Sequence, residues 1–425
     1  MQKQKKKWNR FLVSVSLGFF LAIRQIKGSS KATTALIVFV MTLTFLNLVV
    51  VRGVLVGLIE GSVNVYKEFS TGEIFISKLP KKSYIENSPS IINTIETLPW
   101  VSSYSARYLE SGNIEADYKI KIKATDASNS AGGVIAGINP TAENNTTNLS
   151  KKIVEGQFLN EDDTEYILLG SSLLKKYVPV ESASFSFLEN VSPGTKVRLT
   201  VNNNTKEFIV KGVIQSKADE VDFRAYILDT TLRNMLGRTD YNVDEIAIKL
   251  KEGVDPIIVK NALLKSGAGE TARVQTAEDA LPKFIIDIKN TFAILGNVIG
   301  SIGLVVASIT IFIVIFVNAI TRRKFIGILK GIGISSTAIE IAYVFQSLFY
   351  AFFGIGFGLL ILYGFLVPFV DAHPIRFPFS DGILVAEVGA TFTRVFLLSL
   401  ATVIAGYIPA RIVVKKNTLD SILGR

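Results

Sequence analysis

Residues that could do covalent or metal chemistry are scarce in this chain. It has no cysteine and one histidine, His373, which excludes cysteine nucleophiles and cysteine-bound zinc. The nucleotide-binding Gly-x-x-x-x-Gly-Lys-Ser/Thr motif is missing, and so are Gly-x-Ser-x-Gly and His-Glu-x-x-His. The acids at 161–163 and 219–222 lie in polar, turn-like stretches that we expect to be solvated. We therefore predict no catalytic residue, no metal ligand, no cofactor and no enzyme activity.

The segment 321–334, TRRKFIGILKGIGI, is the best candidate for a binding surface. Three basic residues, Arg322, Arg323 and Lys324, directly follow a long apolar run, which predicts that this loop faces the cytoplasm. Behind them an apolar stripe recurs at helical spacing, formed by Phe325, Ile328, Leu329 and Ile332. Lys330 is expected at its rim. Such a stripe either docks into a groove on a soluble partner or lies flat among lipid headgroups, and the spacing fits both.

Four apolar segments must hold this loop in place. A helix crosses the hydrocarbon core with about 20 apolar residues, and we predict spans at 32–59, 291–320, 337–370 and 390–409. A fourth span beginning at Ile383 would carry Arg394 to the bilayer centre, at considerable cost. We therefore place its start at Ala390, where Arg394 lies one turn inside and snorkels outward.

The distribution of charge predicts the orientation. Residues 1–31 carry eight Lys and Arg and no acid, and the tail 410–425 is also basic. Residues 60–289 carry 27 Lys and Arg against 31 Asp and Glu. Short basic segments stay cytoplasmic, so we expect both termini and the loop 321–336 inside, and 60–289 and the loop 371–389 outside. The net charge of +10 then indicates a lipid bilayer as partner and no nucleic acid.

The outside region is long enough for its own core and reads as an α/β domain. Strand, helix and strand patterns at 73–116 recur at 244–276, so we expect the two ends to pack together, with 73–78 beside 244–250. The stretch between them, about 125–240, is rich in strand patterns, and Asn202 to Asn204 indicate a hairpin turn. Residues 8–27 are interpreted as an interfacial helix that leads into the first span, within a cytoplasmic segment 1–31. The alternative is a cleaved secretory signal, which the basic start and short apolar run resemble, but no small-x-small cleavage site follows.

These observations predict an α-helical membrane protein with four transmembrane helices plus a large α/β extracytoplasmic domain with a β-rich insert. Two segments point to a particular protein family. One is the loop RRKFIGILKGIGI, and the other is Pro409, Ala410 and Arg411 followed by NTLDSIL at 417–423. Together with the topology, they resemble the MacB-like permease family of ABC transporters. That family includes the lipoprotein-releasing permeases and has FtsX as a relative.

The family pattern in the loop is approximately R-R-x-E-I-G-I-L-x-x-x-G. The residues that match it are Arg322, Arg323, Ile326, Gly327, Ile328, Leu329 and Gly333. The stretches 166–177, 192–201 and 208–214 also resemble the family's β-rich subdomain. One departure is Phe325, which stands where the family has glutamate, so any polar role of that glutamate is absent or displaced. Many members carry a fused ATPase domain, which we do not expect in this chain.

The resemblance implies a permease subunit without chemistry of its own, in the bacterial cell membrane. A separate P-loop ATPase would drive it, a second permease subunit would complete a homo- or heterodimer, and the loop 321–336 would be the coupling helix. The implied cargo is hydrophobic or amphipathic: a lipoprotein, lipid or peptide. The alternative is an FtsX-like signal transmitter that activates an extracytoplasmic cell-wall hydrolase. An extracytoplasmic adaptor is a further candidate partner, and the identity of the cargo stays open.

Overall fold

The computed structural model describes residues 2–119, 128–178, 186–373 and 384–415, with the side chains of 2–11 left out. The closing segment 417–423 and most of the predicted loop 371–389 lie outside the described residues. The helices are α1 (Gln2–Lys27), α2 (Lys31–Tyr66), α3 (Ser88–Thr97), α4 (Pro140–Thr147), α5 (Asp219–Asp222), α6 (Asp229–Leu236), α7 (Pro256–Lys265), α8 (Ala268–Thr271), α9 (Lys283–Thr321), α10 (Arg323–Gly331), α11 (Ser336–Ile361), α12 (Val367–Ala372) and α13 (Val388–Val414).

The strands are β1 (Ile74–Lys78), β2 (Val101–Ala116), β3 (Asn129–Ile138), β4 (Ile153–Gly156), β5 (Tyr166–Gly170), β6 (Lys196–Val201), β7 (Asn204–Ile214), β8 (Arg224–Leu228), β9 (Glu245–Leu250) and β10 (Ala272–Thr276). The chain divides into two compact units. The sheet unit is Ile59–Ile286, and the helical unit comprises the described residues before and after it.

Four helices in the described part of the chain are long and apolar enough to cross a membrane. They are Lys31–Thr71, Lys283–Thr321, Ser336–Ala372 and Val388–Val414. The first and third each include a π-helical turn, at Lys67–Thr71 and Leu362–Leu366. An apolar helix satisfies its own backbone, which is why such segments are stable in lipid. The prediction of four transmembrane helices and a large α/β domain is confirmed.

Small residues allow the spanning helices to approach closely. A Cβ atom on Gly354 would lie 2.4 Å from the Cβ of Met41, and one on Gly358 would lie 2.3 Å from Cδ1 of Phe45. The two glycines of α11 therefore form a flat face against α2, which is how helices associate where lipid supplies no hydrophobic drive. Helix α1 packs against the start of α11, where the rings of Phe19 and Phe345 meet edge to face at 5.4 Å.

The prediction that Arg394 snorkels outward is wrong. Helix α13 begins at Val388, and Arg394 is only 8% exposed, so its side chain is packed among the helices of the unit. The N–H of Val385 donates a 3.1 Å hydrogen bond to the carbonyl oxygen of Gly53, which fixes the segment before α13 against α2. The helix then starts earlier than Ala390, and Arg394 lies about 9 Å beyond the first residue of α13.

The sheet unit is built around one mixed sheet. Within the described residues it has ten strands, in the order β10-β1-β9-β2-β3-β8-β5-β7-β4, with β6 pairing with β2 and β7. Ile74 pairs with Ile248 in antiparallel register, which confirms that 73–78 lies beside 244–250. The first half of β2 pairs with β9 and the second half with β3 and β6. The strands of the middle stretch therefore continue the sheet built by the two ends.

Local signals in the sheet unit largely behave as expected. Asn202 and Asn203 both have positive φ, 47° and 67°, and join β6 to β7 in a two-residue hairpin. Asn tolerates this left-handed conformation, which a type I′ hairpin turn requires at both positions. The side chain of Asp255 caps α7 by accepting a hydrogen bond of 2.9 Å from the N–H of Ile257.

A buried ionic cluster crosses the interior of the sheet unit. Arg107 donates to both carboxylate oxygens of Glu143 at 2.8 and 2.7 Å and to the carbonyl oxygen of Ser70 at 2.7 Å. Arg224 donates to both oxygens of Glu245 at 2.9 and 3.1 Å. Burial alone would raise the pKa of the Glu143 carboxyl, but Arg107 holds that pKa below its usual value. The pKa of Glu245 is lowered in the same way by Arg224 and Arg107.

The expectation that the acids at 219–222 are all solvated is wrong for Asp222. Its side chain is 5% exposed and accepts hydrogen bonds from the N–H and hydroxyl of Ser216 and from the N–H of Lys217. Burial nevertheless raises the pKa of this carboxyl. Backbone N–H groups at a turn supply these hydrogen bonds, and a sequence pattern does not reveal them.

Candidate functional site

The loop between α9 and α11 folds as the nine-residue helix α10, which ends in a defined turn. Gly333 has φ +92°, and its N–H donates to the carbonyl oxygen of Lys330 at 3.0 Å. The N–H of Ile334 donates to the carbonyl oxygen of Leu329, also at 3.0 Å. This pair of bonds closes helices where glycine takes the left-handed conformation. The hydroxyl of Ser335 then caps α11, so α10 is joined to that helix by a short, ordered connection.

The apolar side chains of α10 divide into two faces. Phe325, Ile328 and Ile332 are 46, 53 and 72% exposed, and we call these three residues the outer stripe. Ile326 and Leu329 are 1 and 7% exposed and belong to the core of the helical unit. The prediction that Leu329 shares one exposed stripe with the other three is therefore wrong. At 100° per residue, Leu329 lies about 40° around the helix from Phe325, on the side of Ile326.

Two polar contacts fix α10 and the residue before it to neighbouring helices of the same unit. The ammonium of Lys330 donates to the carbonyl oxygen of Val414, in the last turn of α13, at 3.0 Å. Arg322 donates from Nη2 to the carbonyl oxygen of Gly28, in the connection between α1 and α2, at 3.4 Å. Lys330 is thus half-buried and bonded, and the expectation that it is a rim charge is wrong. Cations stabilise helix C-termini because the last carbonyl groups carry partial negative charge.

The surface around the outer stripe is basic. Lys324 is exposed beside Phe325, and Arg322 and Arg323 are half-buried. A rim of cations around an apolar centre suits a partner whose groove is apolar and whose edge is acidic. Acids and histidines do not gather into a metal site within the described ranges. The ring of His373 is exposed and stacks on Phe369 at 4.9 Å.

The spacing of apolar residues did not predict that Ile326 is buried or that Lys330 bonds to α13. The signal for Ile326 was present, because it stands three residues before Leu329 and the pair marks a second apolar face of the same helix. The helix has apolar residues on two sides, and only packing decides which side is covered. The structure brings the outer stripe together on one face and places Leu329 beneath it.

Comparison with known proteins covers both units. Residues 38–265 match the model of the MacB-like periplasmic core domain, and residues 297–418 match the model of the FtsX-like permease C-terminal domain. An uncharacterized ABC transporter permease of Methanocaldococcus jannaschii is 27% identical over 64% of this chain and 65% of its own length. A macrolide export ATP-binding/permease protein MacB of Campylobacter fetus is 30% identical over 56% of this chain and 36% of its own length.

The chain thus spans between 36 and 65% of the length of these relatives. A crystal structure of the periplasmic region of MacB from Actinobacillus actinomycetemcomitans aligns with 50% of this chain and 92% of that region, at 17% identity. Its TM-score of 0.35 is too low to add to the match of the domain model.

Proposed function

The chain belongs to the MacB-like and FtsX-like family of ABC transporter permeases, and on that premise we propose that α10 is the coupling helix by which a separate P-loop ATPase drives this permease. The outer stripe carries the proposal. Phe325, Ile328 and Ile332 expose apolar surface on a short helix between two spanning helices, and nothing in the described part of the chain covers them. Isolated exposed apolar residues are ordinary, but a stripe on an ordered, charge-rimmed helix is typical of docking into a groove.

The attachment of α10 supports a role in transmitting motion. Ile326 and Leu329 pack in the same core as Ala410 and Val413 of α13, and Lys330 bonds to Val414. A push on the outer stripe is therefore carried to α13 as well as to α9 and α11. Packed helices move as rigid bodies because close-packed cores have few intermediate arrangements. A helix lying loosely among headgroups would not need buried contacts on its second face.

The remaining assignments extend this proposal. Both termini and α10 lie in the cytoplasm, the sheet unit lies on the opposite side of the cell membrane, and a second permease copy or paralogue completes the transporter. Support for the orientation comes from the basic segments 1–31 and 321–336.

The chain itself performs no catalysis, and the ATPase partner hydrolyses ATP. The cargo is hydrophobic or amphipathic, in the class of lipoproteins, lipids or peptides; the Campylobacter relatives are named for macrolide export.

The alternative is a signal transmitter that activates a cell-wall hydrolase outside. The match of residues 38–265 to a MacB-like periplasmic core domain favours the transporter. An adaptor and a hydrolase both remain candidate partners of the sheet unit.

The test compares two exposed isoleucines of similar accessibility. Ile328→Asp places a charge in the outer stripe, and Ile257→Asp does so on α7 of the sheet unit, where Ile257 is 58% exposed. We expect Ile328→Asp to lose co-purification of the P-loop ATPase from native membranes, together with the ATP turnover that the permease stimulates. Ile257→Asp should keep both. Full binding and stimulation by Ile328→Asp would show that α10 is an interfacial helix and would refute the proposal.

A further inference from the structure

An apolar groove of 690 Å³ runs between α2 and α11 in the helical unit. Phe349, Phe353 and Phe357 recur at every fourth residue of α11 and form one wall, and Phe39 of α2 stands opposite. The groove reaches the connection between α1 and α2, where Lys27 and Lys31 line its end. The groove therefore has two cations at one end and aromatic rings along the rest of its length.

Within the residues that the structure describes, no acidic side chain pairs with either lysine. Both side chains are exposed, and across the described ranges neither ammonium makes an ion pair or a hydrogen bond. The described residues that line the groove include no acid. An apolar channel with cations at its mouth is complementary to an amphiphile that has a negative head and an apolar chain.

The part of the groove that α2 lines matches one leaflet in length. Lys31 and Thr42 both line the groove, and α2 rises about 17 Å between these two residues. Half of a hydrocarbon core is about 15 Å. A lipid whose phosphate lies at Lys27 and Lys31 can therefore lay one acyl chain along the phenylalanines without leaving its own leaflet.

We propose that this groove binds one anionic phospholipid of the surrounding bilayer, with the phosphate at Lys27 and Lys31 and an acyl chain against Phe349, Phe353 and Phe357. A second copy of this chain is the less suitable occupant. A two-fold contact brings the same patch of both copies together, so the two lysine pairs would face each other. The site does not depend on α10 as a coupling helix, and the proposed orientation decides only that the leaflet is the cytoplasmic one.

Any preference of the groove for an anionic lipid must come from the headgroup. An acyl chain is already in an apolar medium, so entering the groove removes no apolar surface from water. Two lysines near a lipid phosphate should enrich an anionic over a zwitterionic lipid by roughly thirtyfold. Replacing both lysines should therefore abolish the preference while leaving the apolar groove intact.

A tryptophan in the groove can report its occupant. The chain has two tryptophans, Trp8 and Trp100, which are first changed to phenylalanine. Phe353→Trp is then reconstituted into bilayers that contain brominated phosphatidylglycerol or brominated phosphatidylcholine, which quench tryptophan on contact. We expect several-fold stronger quenching by the anionic lipid at equal content, and equal quenching by both lipids once Lys27→Ala and Lys31→Ala are added.

The matched control is Ile404→Trp on α13, a residue that is exposed and outside the groove. Its quenching should not respond to the two lysine substitutions. Equal quenching of Phe353→Trp by both lipids would overturn the proposal, and so would a preference that survives loss of both lysines or quenching by neither lipid. If Phe353→Trp fails to fold, mass spectrometry of the detergent-purified protein replaces it. Wild type should retain one anionic lipid that the double lysine variant loses, and equal retention would refute the site.

Discussion

The ammonium of Lys330 lies 3.0 Å from the carbonyl oxygen of Val414, so α10 is bonded to the last turn of α13 although 84 residues separate the two along the chain. The same α10 exposes Phe325, Ile328 and Ile332 on its other side. The surface that we propose as the docking site of the ATPase is thereby fixed to a helix far from it in sequence. This arrangement separates two properties, docking and transmission, that mutation can distinguish.

Lys330→Met should impair transmission more than docking. The variant keeps the apolar stem of the side chain and removes the charged hydrogen bond to Val414, which contributes about 1.5–3 kcal/mol. We expect normal co-purification of the ATPase and reduced stimulation of its turnover. Lys265→Met, which removes an exposed charge from α7 of the sheet unit, serves as the control. Equal stimulation by both variants and wild type would show that the bond to Val414 has no part in coupling.

Ile328→Asp and Leu329→Asp should fail in different ways. Leu329 is buried, so aspartate there loses its packing and buries an unpaired charge, which lowers the free energy of unfolding by about 3–5 kcal/mol. Ile328 is exposed, and aspartate there should change that free energy by no more than about 0.5 kcal/mol. Thermal unfolding in detergent measures the difference. Equal loss of stability in both variants would contradict the two-faced description of α10.

Gly358→Ala should destabilise the helical unit. Its new Cβ would lie 2.3 Å from Cδ1 of Phe45, so α2 or the ring must move, and overpacking of this kind costs about 1–3 kcal/mol. Gly356→Ala is the matched control, because a Cβ there meets nothing within 4 Å. Thermal unfolding of both variants in one detergent is the measurement. A Gly358→Ala protein as stable as Gly356→Ala would mean that α2 and α11 do not pack at this point.

Arg107→Met should reverse the response of the sheet unit to pH. Both Glu143 and Glu245 have lowered pKa values, so their contribution to stability is complete above the unfolded value of about 4.3 and is lost as pH falls below it. Without Arg107, burial dominates and raises the pKa of Glu143. The variant should then lose stability as pH rises above about 4.3, and be weaker at pH 7 by about 3–5 kcal/mol.

Urea titration followed by Trp100 fluorescence measures this effect in the full chain, after Trp8→Phe removes the other tryptophan. Arg273→Met, at an exposed position, is the control and should follow the wild-type pH profile. A parallel profile for Arg107→Met would show that Glu143 does not depend on its guanidinium.

Cysteine labelling should place Ser128 and Lys324 on opposite sides of the membrane. The chain has no cysteine, so Ser128→Cys and Lys324→Cys each carry a single thiol. Both positions are exposed. We expect an impermeant maleimide to label Ser128→Cys on intact cells and Lys324→Cys only after permeabilisation. Labelling of Ser128→Cys only after permeabilisation, or of both cysteines on intact cells, would contradict the proposed orientation.

Features that depend on residues close in sequence could be predicted. The four spanning helices follow from runs of apolar residues, and the hairpin at Asn202 and Asn203 follows from two residues that tolerate positive φ. The pairing of β1 with β9 followed from a repeated order of patterns at the two ends of the domain, and its register did not. Periodicity and turn chemistry are local, so a single sequence carries them.

The predictions that are wrong concern which face of a helix is covered by its neighbours. Leu329 and Ile328 are adjacent apolar residues on one helix, and packing in the core of the helical unit buries the first and leaves the second exposed. Arg394 was expected to reach water, yet its helix starts at Val388 and its side chain is only 8% exposed. Contacts between residues far apart in the sequence decide these cases, and periodicity contains no record of them.

Strand β2 is shared by both halves of the sheet, and its partners change at its middle. Residues Val101 to Arg107 pair with β9, and residues Tyr108 to Ala116 pair with β3 and β6. A bend of β2 between Arg107 and Tyr108 would therefore break no ladder bond. The ion pair between Arg224 of β8 and Glu245 of β9 joins the two halves close to this point. The resistance of the sheet to bending at its centre thus depends on buried charges rather than on backbone pairing.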